Sequence, residues 1–337
     1  MLNFDEARYV SIQSGAVGLA GQIDSAVGEL LGAGGENIFF LGTGGVALLM
    51  QPAALLLQQR SRFPAFLGYS AELAITGSAN LTERSIVVIP SRSGTTRESI
   101  SMLEFAKKAG AKVMTMVGHR ETPLGERGDQ VFVNFAEDDT SSESFYIQSL
   151  LVALSIMKHR GEIDNYDELV RELPLLPKAL LEAKRQFEVD AEKLAGVLCE
   201  SDYYIFTGAG NTWPEAHYYG MCILEEMQWI RTRPVHASDF FHGTLELIEP
   251  GVHLFVLQGE DACRPLTERV TAFASQYTKQ VTVMDTRNCA LPGIGKALRG
   301  LISPIVLAAL LERVSAHIEV KRDHPLTTRR YYNRVSY

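Results

Sequence analysis

IFFLGTGG at Ile38–Gly45 is an apolar run that ends in a glycine-rich turn, and YYIFTGAG at Tyr203–Gly210 repeats it. A continuous rather than alternating apolar run suits a strand covered on both faces, and glycines at its end suit a tight turn into a helix, here from near Val46. Gly42 maps onto Gly208, a shift of 166 residues. IVVIPS at Ile86 has its counterpart in HLFVLQ at His253, a shift of 167, and VMTMVG from Val113 has its counterpart in VTVMDT from Val281, a shift of 168. Three strands in one order at a near-constant offset predict a duplicated α/β chain. Each half should be a Rossmann-like parallel sheet flanked by helices such as Thr95–Ala109. Ligands in such folds sit beyond the carboxyl ends of the strands.

Between the halves, Leu169, Leu173, Leu176, Leu180, Phe187, Ala191, Leu194 and Leu198 recur at helical spacing, and Pro174 and Pro177 divide that stretch into at least two helices. The expected division is a first domain over 1–163, a helical connection over 164–200 and a second domain over 201–337. A chain of 337 residues with 46% hydrophobic composition has enough material for two ordinary cores.

The formal net charge is −8, and no Lys/Arg run with interleaved aromatics appears, so no nucleic-acid partner is expected. Cys199, Cys222, Cys263 and Cys289 form no CxxC pair and have no histidine at metal spacing. They read as reduced, buried thiols, and no metal is expected. The N-terminus MLNFDEARYV lacks an apolar leader, and the longest apolar runs, Val46–Leu57 and Leu301–Leu311, carry Pro52 and Pro304. Both are shorter than the roughly 20 residues a bilayer span needs, so no membrane partner and a cytoplasmic location are expected.

After the second strand of the first half comes Ser91-Arg92-Ser93-Gly94-Thr95-Thr96, then a helix-like run through Glu98, Leu103 and Lys107. Hydroxyls and backbone N–H groups around a glycine at a helix N-terminus make a dense set of donors, to which the helix dipole adds positive charge. An ordinary Ser/Thr cap would account for one or two of these hydroxyls, not four with a Gly and an Arg. A phosphate fits there. The matching place in the second half reads Gln258-Gly259-Glu260-Asp261, whose carboxylates would repel an anion. A nicotinamide site is disfavoured because Gly42-x-Gly44 and Gly208-x-Gly210 lack the third glycine of the dinucleotide fingerprint.

In the second half, Thr212–Thr232 starts with a cap-and-proline signal and reads as one helix, with Ala216, Ile223, Met227 and Ile230 marking its apolar face. Glu226 borders that face, where desolvation would raise its proton affinity as a proton shuttle requires; a solvated helix edge is the other reading. Sixteen residues on, His242 lies in Ser238-Asp239-Phe240-Phe241-His242-Gly243. Residue types alone leave this pair undecided between packing and chemistry.

LEEMQWI followed by HASDFFHGTLELIEPG resembles the second sugar-isomerase (SIS) domain of glucosamine-6-phosphate synthase and its relatives, which share the Glu, the sixteen-residue step and the His-Gly pair. Ser91–Thr96 resembles their phosphate loop. EMQWI with FFHG, and the ending HPLTTRRYY at His324–Tyr332, are most similar to the fructosamine-6-phosphate deglycases, and the likeness covers both halves. The resemblance implies two tandem SIS domains. It assigns Glu226 as general base, His242 as acid or ring-opening group, and Thr43, Ser91, Ser93, Thr95 and Thr96 as phosphate ligands. Ser142 would bound the sugar, with Gly42, Gly44 and Arg330 also at the substrate. Glu143, within Thr140–Ser144, reads as an exposed loop acid, with the substrate ammonium as its other possible partner. Where the synthase has a C-terminal catalytic lysine, this chain has Arg330, which neither forms a Schiff base nor gives up its proton at neutral pH.

The implied activity is enzymatic and cofactor-free. It is hydrolytic cleavage of a 6-phosphorylated sugar–amino acid (Amadori) adduct through an imine, giving glucose 6-phosphate and free amino acid. An aldose–ketose isomerase or amino-sugar-phosphate deaminase would use the same pair of residues, and a sugar-phosphate sensor would need neither. The resemblance further implies a homodimer or larger assembly.

Overall fold

The computed structural model describes residues 1–136, 142–201, 203–332 and 334–336. The chain divides into two compact units, Ala7–Pro177 and Met1–Glu6 with Lys178–Tyr337. The first unit opens with helices α1 (Glu6–Gly18) and α2 (Ala20–Gly32), then runs β1 (Asn37–Gly42), α3 (Gly45–Arg60), β2 (Ala65–Tyr69) and α4 (Ser70–Thr76). It continues through β3 (Ser85–Ser91), α5 (Arg97–Lys108), β4 (Lys112–Val117), α6 (Pro123–Arg127), β5 (Gln130–Val133), α7 (Ser142–His159) and α8 (Tyr166–Glu172). The five strands lie in the order β2-β1-β3-β4-β5, and every pairing is parallel.

All seven residues of β3 are buried, as a central strand covered on both faces requires. One face packs Phe39, Val87, Ile89 and Val113 against Met102, Leu103 and Ala106 of α5. That helix ends in Lys107 and Lys108, which suit the negative end of its dipole, and Gly110 (φ +81°) supplies the left-handed residue that turns the chain into β4.

The connection places α8 in the first unit and nearly all of α9 (Leu176–Val197) in the second, so the chain divides inside the first turn of α9. Pro177 occupies that turn, where its missing N–H costs nothing. The second unit follows with β6 (Tyr203–Gly208), α10 (Trp213–Tyr218), a π-helical segment (Tyr219–Glu225), α11 (Glu226–Gln228) and β7 (Arg231–His236). It ends with β8 (Leu254–Gln258), α12 (Arg264–Ala274), β9 (Val281–Asp285) and α13 (Lys296–Lys321). Its four strands are again all parallel, in the order β7-β6-β8-β9. The duplicated strands are β1/β6, β3/β8 and β4/β9. The repeat gave no sign of β2 and β7, which add an outer strand at the same place in each sheet.

Two expectations change. The segment 212–232 is not one helix, because it widens into the π segment, closes at Gln228, and turns at Trp229 in the left-handed region (φ 57°) before β7. The named apolar positions Ala216, Ile223, Met227 and Ile230 are nonetheless all buried. The apolar run at Leu301–Leu311 belongs to a 26-residue helix that by length and composition could cross a membrane; 89% of its most apolar window is buried, as in a core helix. Pro304 does not end α13. Its absent N–H would orphan the Gly300 carbonyl, which instead accepts from Asn211 Nδ2 at 2.8 Å.

In the second unit the N-terminal residues return onto α9 and α13. Arg313 and Lys184 have fully buried side chains. Both cations face the Phe4 ring, at 4.8 and 5.2 Å. Glu188 accepts from Arg313 Nε (2.8 Å) and from the Leu2 N–H (2.7 Å). Burial alone would push the Glu188 carboxyl up, but the Arg313 and Leu2 hydrogen bonds outweigh it and hold the pKa at about 2. The stabilisation is therefore complete above the ordinary value of 4.5 and is lost as pH falls from there through about 2. Glu188→Gln should lower unfolding free energy by about 2–4 kcal/mol at pH 7, because it leaves Arg313 buried with fewer partners. Urea titrations at pH 7 and pH 3 should show the gap from wild type narrowing at the lower pH.

Candidate active site

In the first unit, the register Phe40↔Val88 puts the ends of β1 and β3 side by side at the carboxyl edge. Gly42, last in β1, is needed because a Cβ there would lie 2.7 Å from Ala47 Cα in the first turn of α3. Gly44 (φ 61°) follows as the exposed N-cap of α3 and makes no side-chain cap. Between them, the Thr43 hydroxyl is buried and has no hydrogen-bond partner among the described residues. Ser70 at the end of β2 and Ser99 in the first turn of α5 are also buried with unpartnered hydroxyls. Among the described residues these three hydroxyls have no acceptor.

The Ser91–Thr96 loop is held from below. The Gly94 N–H donates to Ser91 Oγ (3.1 Å) and Ser91 O (3.2 Å), the Gly118 N–H to Arg92 O (3.1 Å), and the Leu124 N–H to Gly94 O (3.2 Å). Gly94 has φ +64°, and a Cβ there would fall on Thr122 Oγ1, so this position needs glycine twice over. Thr96 is the N-cap of α5, yet its hydroxyl lies 3.2 Å from Ser91 Oγ and does not cap the helix. The N-terminal N–H groups of the twelve-residue α5 thus lack their usual side-chain acceptor, while Ser93 and Thr95 stand exposed beside them.

Ser142 and Glu143 open α7 and are both buried, Glu143 completely. This overturns the reading of Glu143 as an exposed loop acid; Thr140 and Ser141 lie outside the described residues. The Glu143 carboxylate accepts from Tyr9 Oη (3.1 Å) and Ser142 Oγ (3.3 Å). It sits in the first turn of its helix, where negative charge is favoured.

The matching edge of the second unit is closed by its own side chains. Asp261, which stands 167 residues after Gly94, accepts from the Asn211 N–H (2.8 Å) and the Cys263 N–H (2.9 Å). One carboxylate thus takes up the turn after β6 and the turn after β8. Glu260 is bound bidentately by Arg299 (2.7 and 3.0 Å), which offsets its charge.

Glu226 lies in α11 after the π segment, a distortion frequent at functional positions. Instead of being desolvated, its side chain is 36% exposed, and Oε1 accepts from Arg329 Nε at 3.0 Å. Sequence reasoning singled out Arg330 and missed Arg329, whose only signal was the Arg doublet. Arg330 stacks on the Trp229 ring, its guanidinium carbon 3.8 Å from the centroid. His242 is exposed at the end of a 3-10 turn, and its N–H donates to Asp239 O (2.9 Å). Nearby on the β7 edge, burial lowers the pKa of His236, and its Nδ1 accepts from the Ser238 N–H (3.1 Å). Among the described residues, no three His, Cys, Asp or Glu side chains gather as a metal set would.

The SIS-domain family model matches residues 33–158, the stretch that holds β1 to β5 and the Ser91–Thr96 loop. The chain is thus similar to SIS domains over that segment. It is 29% identical to the fructosamine deglycase FrlB of Bacillus subtilis over 94% of this chain and 97% of that one. It is 25% identical to the fructoselysine 6-phosphate deglycase of Escherichia coli over 92% and 89%. A solved structure from Salmonella typhimurium, described as a candidate phosphosugar isomerase, superposes with a TM-score of 0.88 at 27% identity, covering 96% of this chain and 97% of that one.

Asp261→Ala should leave the Asn211 and Cys263 N–H groups without acceptors and cost about 1–3 kcal/mol of stability. Thermal denaturation reads this directly.

Proposed function

We propose that this chain is a deglycase that cleaves a 6-phosphorylated ketose–amino acid adduct to glucose 6-phosphate and the free amino acid. The observation that carries this reading is the likeness to a fructosamine deglycase along 94% of the chain, which spans both the Ser/Thr loop and Glu226. Ser91, Ser93, Thr95, Thr96 and Thr43 hold the phosphate, helped by the uncapped N-terminus of α5. Glu226 removes a proton from C1 of the keto-amine and delivers it to C2, converting the enolamine into the C1 imine of glucose 6-phosphate. Water adds to that imine, the C1–N bond breaks, and the amine leaves with the proton it needs. His242 serves as the acid at the sugar oxygen, so acid and base are separate groups.

An aldose–ketose isomerase would use the same C1–C2 proton transfer, and the description of the Salmonella structure favours it. Release of free amino acid from an adduct panel distinguishes the two. Glu226→Gln keeps the side chain's shape but cannot take a proton, so turnover should fall by about 10²–10⁴-fold with binding retained. Glu225, which accepts from Thr232 Oγ1 at 2.6 Å, should give a much milder Glu225→Gln variant. Near-normal turnover in a folded Glu226→Gln protein would refute the assignment. Replacing Ser93 and Thr95 by Ala should weaken glucose 6-phosphate binding by about 1–3 kcal/mol per lost bond, read by calorimetry.

A further inference from the structure

We propose that Arg330, stacked on Trp229, is the receptor for the carboxylate of the amino acid carried by the substrate. This rests on the deglycase reading above and adds which chemical feature of the leaving amine is recognised. Trp229 has a left-handed backbone (φ 57°), unusual for a bulky residue, and strain of that kind gathers at functional sites. The consequence is an indole left 36% exposed. His324 supports it edge-on at 4.4 Å, and the His324 carbonyl accepts from Gln228 Nε2 at 2.7 Å. The guanidinium of Arg330 lies over this fixed ring and is itself exposed.

The two neighbouring arginines differ in one respect. Arg329 is spent on Glu226, whereas among the described residues no hydrogen bond or ion pair engages Arg330. A guanidinium stacked by its face keeps its edge N–H groups in a planar fork that matches a carboxylate. Stacking also removes part of the side-chain freedom that normally makes exposed ion pairs weak. In a chain of net charge −8, this is a local positive point next in sequence to Arg329, which holds Glu226. The substrate chemistry asks for such a point there. Glu226 works at C1, C1 bears the amino acid nitrogen, and the α-carboxylate is only two bonds from that nitrogen.

The test uses two adducts that differ only in the carboxylate, fructose 6-phosphate joined at C1 to glycine and to methylamine. The wild type should prefer the glycine adduct in kcat/KM by about tenfold or more. Arg330→Ala should bring that ratio close to one, and Arg330→Lys, which keeps the charge without the fork, should recover part of it. A second reading needs no turnover. The chain has two tryptophans, so in Trp213→Phe protein the emission reports Trp229 alone. The glycine adduct should change that emission, and the methylamine adduct and glucose 6-phosphate should change it far less. A preference that survives Arg330→Ala overturns the inference, as does an equal emission change with glucose 6-phosphate, which would assign Arg330 to phosphate. Cleavage of both adducts at equal efficiency by the wild type sinks the carboxylate receptor and leaves the deglycase standing. A carboxylate-dependent emission change, lost in Arg330→Ala, with neither adduct cleaved does the reverse.

Discussion

Every parallel sheet flanked by helices leaves backbone N–H groups pointing outward at its carboxyl edge, and each of them needs an acceptor. The two halves of this chain meet that need in opposite ways. In the second unit, Asp261 reaches from its own turn to the Asn211 and Cys263 N–H groups, so the edge is satisfied from within. In the first, the position 167 residues earlier is Gly94, which offers no side chain and packs against Thr122 so closely that none would fit. No side chain at that position can act as acceptor, and among the described residues the buried Thr43, Ser70 and Ser99 hydroxyls have no hydrogen-bond partner. The difference between glycine and aspartate thus separates an open turn from one closed by its own side chain.

With its phosphate turn closed, the second unit departs from the repeat in the stretch that joins β6 to β7. The first unit spends this stretch on an ordinary helix, α3, which tolerates Pro52 within it. The second unit widens it into the π segment and stops it at Trp229. That stop sets Glu226 near the helix end rather than mid-helix, where the tail can reach it. Residues 322–330 contact this helix end at several points. Arg322 donates to Gln228 O (3.4 Å), Gln228 to His324 O, Arg329 to Glu226, and Arg330 covers Trp229. The tail therefore belongs to the environment of Glu226.

Much of this was legible in the sequence, for identifiable reasons. β1, β3, β4, β6 and β8 announced themselves because burial on both faces demands unbroken apolar runs, whereas the edge strand β9 showed only through its place in the repeat. The edge strand β7, RTRPVH, is mostly exposed or half-buried and carries a proline, so it has no such signature. The Ser91–Thr96 loop stands out in the sequence because four hydroxyl residues and a glycine fall within six positions. Glu143 was misread since a Ser/Glu-rich stretch resembles a loop in composition; its burial depends on Tyr9, more than a hundred residues away. Arg329 had no local signal either, because its pairing with Glu226 spans 103 positions.

The Arg329–Glu226 pair bears on how a carboxylate can run the proposed proton transfer. A shuttle must take a proton from C1 and then give it up at C2, so it must not hold the proton too well. Burial without a partner would favour the neutral acid and slow the return. Arg329 is attracted to the carboxylate and gains nothing from the neutral form, so it favours release at the second step while orienting the oxygen at the first. The side chain is open enough, at 36% exposure, for a substrate carbon to approach. A lysine in the same place would supply the charge with a less fixed direction and could also react with a ketose carbonyl. Arginine can do neither, which suits a reaction whose only imine is the one formed within the substrate.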